Sequence, residues 1–235
     1  MSKSVVLSWS GGKDSALALD ALTRDPEVEV VGLLTSVTTD YDRISVHGVR
    51  RSMLEAQIER LGLPLFEISL PSACTNEAYE AAFRKTIEPI KRDQPEVSHI
   101  AFGDLFLEDV RSYREQLMAG TGLDPLFPLW GIDTTLLARR FVDEGFCARL
   151  VCVDTTQLDA AFAGRAFDHE LLADLPPTVD PCGERGEFHT FVWNGPPFKQ
   201  SVPYAIGASV LREGRFMYCD IESEELQMKT TSLRL

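Results

Sequence analysis

The feature that most constrains this chain is a glycine pair that follows its first apolar run. After residues 5–7, which are Val-Val-Leu, comes the string Ser10, Gly11, Gly12, Lys13, Asp14 and Ser15, which leads into a helix-forming segment. Glycines let the backbone approach a ligand without a Cβ clash, and the N–H groups at a helix start attract anions. Lys13 adds a cation, and the two serines add hydroxyl donors. The string therefore predicts a strand–turn–helix unit that binds an anion.

Asp14 narrows the expected anion to a metal-bound polyphosphate. A carboxylate beside phosphate is favourable when a divalent cation lies between them. The string is not a Walker P-loop, because Leu7 stands where that pattern needs glycine and Asp14 stands where it needs Ser or Thr. The simpler alternative is a turn that only caps a helix. Six suitable residues directly after a strand favour the anion site.

Composition limits the classes of partner. The chain has 235 residues, enough for one large or two small domains, and a net charge of −13. Its acidic pI, about 4.8, disfavours a nucleic-acid partner, which would need a basic face. No apolar stretch fits a signal peptide or a membrane span, so we expect a cytoplasmic protein with no membrane partner. Five cysteines without a C-x-x-C pair predict reduced thiols, and neither disulfides nor zinc.

The first two-thirds of the chain alternates strand and helix patterns. We predict strands at residues 5–8, 29–36, 65–70, 98–102, 125–127 and 146–153, and helices at residues 14–23, 48–61, 76–92, 108–119 and 134–144. This alternation predicts a parallel sheet of the α/β class. The pattern changes near residue 127, and residues 202–221 predict a β-hairpin that turns at Glu213-Gly214. We therefore expect one domain at residues 1–126 and a smaller α+β domain at residues 127–235, with an extensive shared interface.

A second polar cluster lies in residues 180–190, which include two glutamates, a histidine and several glycines. Glu184 and Glu187 could bind a metal or an ammonium ion, and His189 could act as an acid, a base or a donor to phosphate. By composition alone, a polar loop that enters a strand is an equally good interpretation. We expect the second domain to fold back so that Glu184, Glu187 and His189 face the glycine turn.

Three further segments are candidates. Gly103 and Asp104 end a predicted strand, where side chains reach a cleft, although Asp104 could instead cap a salt-bridged helix that carries Arg111 and Arg114. Residues 38–51 could contact a substrate or an adenine ring, although a lone histidine at a helix start, here His47, is more often a cap. Residues 128–131, Pro-Leu-Trp-Gly, predict a packing turn.

These segments together resemble a known family. Residues 10–15 resemble the PP-loop of the ATP pyrophosphatase superfamily, and we call them the PP-loop. With residues 47–50, 103–104, 128–131 and 182–190, in this order, they resemble the diphthine–ammonia ligase family. The resemblance implies that residues 1–126 form a nucleotide-binding PP-loop domain with a Rossmann-like, HUP-type fold. It also implies a cleft that binds ATP through Ser10, Gly11, Gly12, Lys13, Asp14, Ser15, Gly103 and Asp104.

The resemblance also implies a reaction. ATP and Mg²⁺ are the expected cofactors, with Asp14 as the metal ligand and Lys13, Glu184, Glu187 and His189 as catalytic residues. Members of the family adenylate an acceptor carboxylate, release pyrophosphate and amidate the acceptor with ammonium. The acceptor is diphthine on elongation factor 2 if the chain is archaeal or eukaryotic, and a homodimer is compatible with the sequence.

Two other functions remain open from the sequence. One is a PP-loop enzyme that acts on tRNA or a small metabolite, against which the acidic pI and the missing C-x-x-C pair count. The other is a non-catalytic nucleotide sensor, which would not need the polar cluster at residues 180–190.

Overall fold

The computed structural model describes residues 2–45 and 47–223, and it confirms the predicted α/β class. The first sheet contains β1 (Lys3–Ser8), β2 (Val28–Thr38), β3 (Arg43–Ile44), β4 (Leu65–Leu70), β5 (Val97–Ala101) and β6 (Asp124–Leu126). The short β3 runs antiparallel to the end of β2, and the other strands are parallel in the order β4-β2-β1-β5-β6. The connections diverge between β1 and β5, which leaves a crevice at the carboxyl ends of these strands.

The described residues form six α-helices, which lie close to where the sequence predicts them or fill the connections between strands. They are α1 (Lys13–Arg24), α2 (Arg51–Leu61), α3 (Asn76–Asp93), α4 (Glu108–Met118), α5 (Thr134–Asp143) and α6 (His169–Asp174). The prediction for α2 was wrong at its start, because the helix begins at Arg51 and not at residue 48. Gly48 has a φ of 71°, a left-handed conformation that an α-helix does not contain.

The second sheet corrects the prediction for residues 146–153. It contains β7 (Cys147–Asp154), β8 (Phe188–Asn194), β9 (Ala205–Arg212) and β10 (Phe216–Glu222), in the order β8-β7-β10-β9. We expected β7 to extend the parallel block, but it pairs antiparallel with both of its neighbours. A continuous buried apolar run has the same pattern in either sheet, so periodicity could not distinguish the two cases.

The predicted C-terminal hairpin is confirmed. Strands β9 and β10 pair antiparallel, with Phe216 opposite Arg212. Glu213 and Gly214, which connect them, have φ values of 53° and 63°. Two consecutive left-handed residues are typical of the turn that matches the twist of a tight hairpin.

The two sheets share one hydrophobic core. A single cluster of buried side chains includes Leu7 and Leu17 from the first half of the chain and Phe188 and Phe191 from the second. Polar contacts cross the same interface, because Val192 N donates to Gly11 O at 2.9 Å. The boundary at residues 126 and 127 stays a prediction. Within the described residues, no helix is both long enough and apolar enough to cross a membrane.

Candidate active site

A cavity of about 650 Å³ lies at the carboxyl ends of β1, β2, β4 and β5. Its wall includes most of the residues that the sequence singles out: Ser10, Lys13, Asp14, Ser15, Gly103, Asp104, Glu184 and His189. Gly11 and Gly12 are not lining residues themselves, but they connect Ser10 to Lys13, which are. The cavity therefore brings together segments that lie far apart in sequence and come from both halves of the chain.

The shape of the PP-loop depends on its two glycines. Gly11 has a φ of 76°, and a Cβ on it would lie 2.7 Å from Gln57 Oε1. A Cβ on Gly12 would lie 3.1 Å from both Thr190 O and His47 Cε1. Helix α1 begins directly afterwards, and its first N–H group, on Lys13, donates to Thr190 Oγ1 at 3.0 Å. The second half of the chain is therefore packed onto the helix start where the sequence predicts an anion.

Lys13 lies between the two halves of the chain. Its buried ammonium group donates to both carboxylate oxygens of Asp14, at 2.8 Å, and also to the Cys182 carbonyl. The rings of Phe188 and Phe167 lie 5.6 and 6.0 Å from Nζ. Burial alone would lower the pKa of Lys13, but the Asp14 carboxylate holds that pKa above its ordinary value. Lys13 is therefore a charged contact between α1 and the loop that precedes β8.

Gly103 and Asp104 lie against the start of α1. A Cβ on Gly103 would lie 3.2 Å from the backbone C and O atoms of Asp14, so glycine permits this close approach. Asp104 does not cap α4, whose N-cap position is Leu107. Its carboxylate instead pairs with Arg114, with Nε and Oδ2 3.3 Å apart.

Glu187 corrects the expectation that both glutamates face the cavity. Its side chain is buried and outside the cavity wall. Oε1 accepts a hydrogen bond from Asp180 N, and Oε2 accepts one from Arg185 N, each at 2.9 Å. Both carboxylate oxygens therefore bond the backbone of their own loop, which makes Glu187 a residue that shapes the loop.

Glu184 does face the cavity, as predicted. Its Oε1 accepts a hydrogen bond from Leu105 N at 2.7 Å, which ties the loop to the segment that follows β5. Burial raises the pKa of Glu184 to about 7, and the charges of Asp14 and Asp104 add to this shift. The carboxyl group therefore changes its charge near neutral pH.

His189 also lines the cavity, and the structure pairs it with His47, a contact that the sequence did not predict. The ring of His47 lies 4.6 Å from the ring of His189, centroid to centroid. Burial lowers the pKa of His47 to about 4 and that of His189 well below its ordinary value. Both imidazoles are therefore neutral at pH 7. Of the two roles left open for this segment, helix capping by His47 is excluded, because the N-cap position of α2 is Arg50, and His47 instead lines the cavity.

The remaining candidates lie outside the cavity or only support it. Arg111 stacks on Phe127 and Trp130 at 4.9 and 4.8 Å, away from the cavity wall. In residues 128–131, Leu129 is fully buried, and Gly131 N donates to Leu105 O at 2.8 Å, as expected for a packing turn. The sequence analysis missed Gln57, which is fully buried and donates to Gly11 O and Val192 O at 3.0 and 2.6 Å. A glutamine inside an amphipathic helix carries no signal for such a role.

The carboxylates in the cavity wall bear on the expected metal. Among the described residues, no three His, Cys, Asp or Glu side chains form a group that could hold a metal ion by themselves. Asp14, Asp104 and Glu184 nevertheless all line the same cavity. Oxygen ligands of this kind suit Mg²⁺, which usually takes one or two carboxylates together with phosphate and water. These residues therefore fit a cation that arrives with a phosphate ligand.

The fold and the cleft define an α/β protein whose glycine loop follows the central strand β1 and meets a second, antiparallel sheet. Comparison with known families is more specific. Residues 2–125 match the diphthamide synthase N-terminal domain, and residues 133–224 match the diphthamide synthase C-terminal domain. The chain belongs to the diphthamide synthase family.

Three relatives that match this chain carry the name diphthine–ammonia ligase. The chain is 25% identical to that of Schizosaccharomyces pombe over 209 residues, which is 82% of this chain but only 34% of the relative. It is 23% identical to the human protein and 24% identical to that of Danio rerio, each over 82% of this chain and over 79% and 83% of the relatives.

Among solved structures, the U34-tRNA thiolase NcsA from Methanococcus maripaludis matches 58% of this chain and 55% of its own length. The identity is 16% and the TM-score is 0.34, so this similarity carries no functional argument.

Proposed function

We propose that the chain is an ATP-dependent ligase that converts an acceptor carboxylate to an amide. The acceptor oxygen attacks the α-phosphorus of ATP, the bond to the bridging oxygen of the β-phosphate breaks, and pyrophosphate leaves. Ammonia then attacks the acyl carbon of the adenylate, and AMP leaves with the bonding electrons. By analogy with the relatives named diphthine–ammonia ligase, the acceptor is a diphthine side chain on elongation factor 2.

One observation carries the proposal. The PP-loop and the Glu184–His189 segment come from opposite halves of the chain, yet they line one cavity and are joined by the contact of Lys13 with the Cys182 carbonyl. A nucleotide-binding module alone would not need a second polar loop against its glycine turn. A ligase needs both, because one set of groups must hold the phosphates and another must receive the amine.

The nucleotide would lie along the PP-loop, with its phosphates at the start of α1. Ser10 and Ser15 hydroxyls would donate to phosphate oxygens, and Lys13 would neutralise charge on the leaving pyrophosphate. Lys13 now bonds Asp14, so phosphate binding would exchange one negative partner for another. Neutral His189 would donate an N–H to the same anion without adding a second buried charge.

Bound Mg²⁺ would supply Lewis-acid stabilisation of the charge that develops on pyrophosphate. Asp14 is the proposed ligand, and Asp104 is a second carboxylate on the same cavity wall. Release of Asp14 from Lys13 would free its carboxylate for this role. The two events would thus be coupled, because phosphate takes the lysine while the cation takes the aspartate.

Glu184 is the proposed partner of the incoming ammonium. A carboxylate that ionises near pH 7 attracts a small cation and can take its proton as ammonia attacks the adenylate. Glu187 supports this role indirectly, because its bonds to Asp180 N and Arg185 N fix the loop that carries Glu184.

Product analysis tests the proposal. The purified chain is incubated with ATP, Mg²⁺ and diphthine-bearing elongation factor 2, with and without ammonium. We expect AMP and pyrophosphate, with turnover that depends on both the acceptor and ammonium. ADP and orthophosphate as the products would rule out adenylation. AMP formed with tRNA or a small carboxylate, but not with the elongation factor, would keep the chemistry and reject the acceptor.

A further inference from the structure

The loop that carries His47 lies directly over the PP-loop but has little regular structure of its own. It lies between the two-residue strand β3 and the start of α2 at Arg51. His47 Cε1 would lie 3.1 Å from a Cβ on Gly12, so the imidazole is as close to the PP-loop as glycine allows. Its Nδ1 is buried and has no hydrogen-bond partner among the described residues. The ring packs on His189, and contacts elsewhere in the loop hold the backbone that carries it.

The C-terminal hairpin, β9–β10, supplies those contacts. A Cβ on Gly48, next to His47, would lie 2.7 Å from Tyr218 Cε1, so the tyrosine packs directly on the loop backbone. Arg43 Nη1 donates to Gly48 O at 2.5 Å and to Asp220 Oδ1 at 2.9 Å. One arginine therefore links the residue after His47 to strand β10.

A second arginine repeats the link on the other side of His47. Arg50 Nη2 donates to Asp220 Oδ2 at 2.6 Å and to Glu222 Oε1 at 2.9 Å. The two carboxylate side chains are only 17% and 19% exposed, so solvent screens these pairs less than it screens surface pairs. Burial alone would raise the pKa of Asp220, but hydrogen bonds from Arg43 and Arg50 hold that pKa below its ordinary value.

We propose that the β9–β10 hairpin is a positioning device for the active site, which seats the His47 imidazole against the PP-loop through Asp220, Glu222 and Tyr218. The inference rests on the proposed function, because the ligand at the PP-loop is taken to be the nucleotide. His47 joins His189 there as a neutral N–H donor to phosphate. The hairpin thereby has a role in the cleft although none of its own residues lines the cavity.

The charges around His47 are consistent with a ring that stays neutral. Burial and the charge of Lys13, which approaches from α1, lower the pKa of His47, whereas the Thr190 backbone in β8 raises it; burial dominates. The arginines of the loop, Arg43 and Arg50, are compensated by the hairpin carboxylates. Loss of one hairpin carboxylate would leave an arginine free to move and would loosen the loop. The imidazole would then be more exposed to water, and its pKa would rise toward the ordinary value.

The test uses Asp220→Asn in the full-length chain. We expect the affinity for Mg²⁺-ATP, measured by calorimetry, to fall about fivefold or more, a size typical of coupling between distant sites. In the same variant, the His47 ring resonances should titrate closer to the ordinary histidine range than in the unchanged protein. Asp220→Glu keeps the charge and should restore most of both properties.

Arg215→Gln is the matched control. It removes an ion pair with Asp154 at the other end of the same hairpin, where Nη2 and Oδ2 are 2.6 Å apart. We expect this variant to keep the His47 titration and the ATP affinity of the unchanged protein. Equal losses in Arg215→Gln and Asp220→Asn would mean that the hairpin acts only through general stability, and the positioning role would be rejected.

Glu222→Gln is the milder variant if Asp220→Asn does not fold, since it removes only one partner of Arg50. It should shift the His47 titration in the same direction by a smaller amount. An unchanged His47 titration and ATP affinity in the folded carboxylate variant would overturn the inference. If the unchanged protein itself does not bind ATP, the proposed function fails first, and the His47 titration still reports whether the hairpin seats the ring.

Discussion

The two loops that form the cleft keep their shapes by different physical means. The PP-loop depends on glycine, because a side chain at residue 11 would collide with Gln57 and one at residue 12 would crowd Thr190 and His47. The loop at residues 180–187 depends on acidic side chains that bond its own backbone, such as Glu187 to Asp180 N. In the PP-loop, the residue types alone indicate an anion site. In the loop at residues 180–187, glutamate serves both to hold the loop and to line the cavity.

Glu184 and Glu187 show this difference within one loop. They lie three positions apart, yet Glu184 lines the cavity and Glu187 is buried behind it. The number of backbone N–H groups that each carboxylate satisfies separates them. Glu187 accepts from two backbone donors of its own loop, whereas Glu184 accepts from Leu105 N and lines the cavity.

The largest expected effect is on stability in Glu187→Ala. The substitution leaves the buried N–H group of Asp180 and the partly buried N–H group of Arg185 without their acceptor. We expect the free energy of unfolding to fall by about 2–4 kcal/mol, from a cost of about 1–3 kcal/mol for the buried group and less for the partly buried one. Urea unfolding measures it. A loss no larger than that of Glu184→Gln would erase the distinction between the two glutamates.

For Glu184→Gln we expect a loss of activity with little loss of stability. The amide keeps the shape and can still accept from Leu105 N, so the fold should persist. Amide formation should fall about 10²-fold, the usual cost of removing one well-placed electrostatic contact in a transition state. ATP affinity should change little, and the assay is AMP release with acceptor and ammonium. Full turnover in this variant would remove Glu184 from the mechanism.

Lys13→Ala tests the contribution of the PP-loop to nucleotide binding. Its ammonium group is the only side-chain cation in the PP-loop sequence. We expect affinity for Mg²⁺-ATP to weaken about 10- to 100-fold, because hydrogen bonds to charged groups contribute about 1.5–3 kcal/mol. Calorimetry on a variant with a native circular dichroism spectrum measures this. Unchanged affinity would show that Lys13 holds the two halves together and does not bind phosphate.

The pH dependence of stability provides a further test of the environment of Glu184. The folded-state pKa of Glu184 is raised to about 7 from an ordinary value of 4.5. Its contribution to stability is therefore fully present below pH 4.5 and is lost as pH rises through about 7. Relative to Glu184→Gln, the unchanged protein should lose unfolding free energy across this window. Parallel stability curves for the two proteins would contradict the raised pKa.

The smallest effect on activity is expected from replacing the four cysteines outside the loop at residues 180–187. Cys74 and Cys147 are partly exposed, and Cys152 and Cys219 are buried. Replacement of the first two by Ser and the last two by Ala should leave ATP-dependent turnover within about threefold, since core changes of this size alter stability more than chemistry. Cys182 is left intact because its carbonyl contacts Lys13. Loss of turnover in the folded variant would assign a thiol to catalysis.

Sequence reasoning succeeded where local rules dominate. The glycine turn after β1, the alternation of strands and helices, and the Glu213-Gly214 hairpin turn all follow from short-range backbone preferences. These features also predicted which segments meet at the carboxyl ends of the parallel strands. The strands that pair with β7 could not be predicted. The direction of pairing depends on distant strands, and a buried apolar run has the same sequence pattern in either direction.

The candidate site was only partly predictable for a related reason. Glu184 and His189 could be identified by residue type, but the burial that separates Glu187 from them depends on how the loop folds. His47 gave too weak a signal, because its position depends on Tyr218 and Asp220, about 170 residues further along the chain. Long-range contacts of this kind become visible only in the folded structure.

The most direct test of the central claim is transfer of isotope-labelled ammonium to the acceptor. Diphthine-bearing elongation factor 2 is incubated with the chain, ATP, Mg²⁺ and labelled ammonium, and the modified peptide is analysed by mass spectrometry. We expect one labelled amide nitrogen per AMP released, with both absent in Glu184→Gln on the same timescale. AMP release without label in the peptide, or label incorporated without ATP, would contradict this claim.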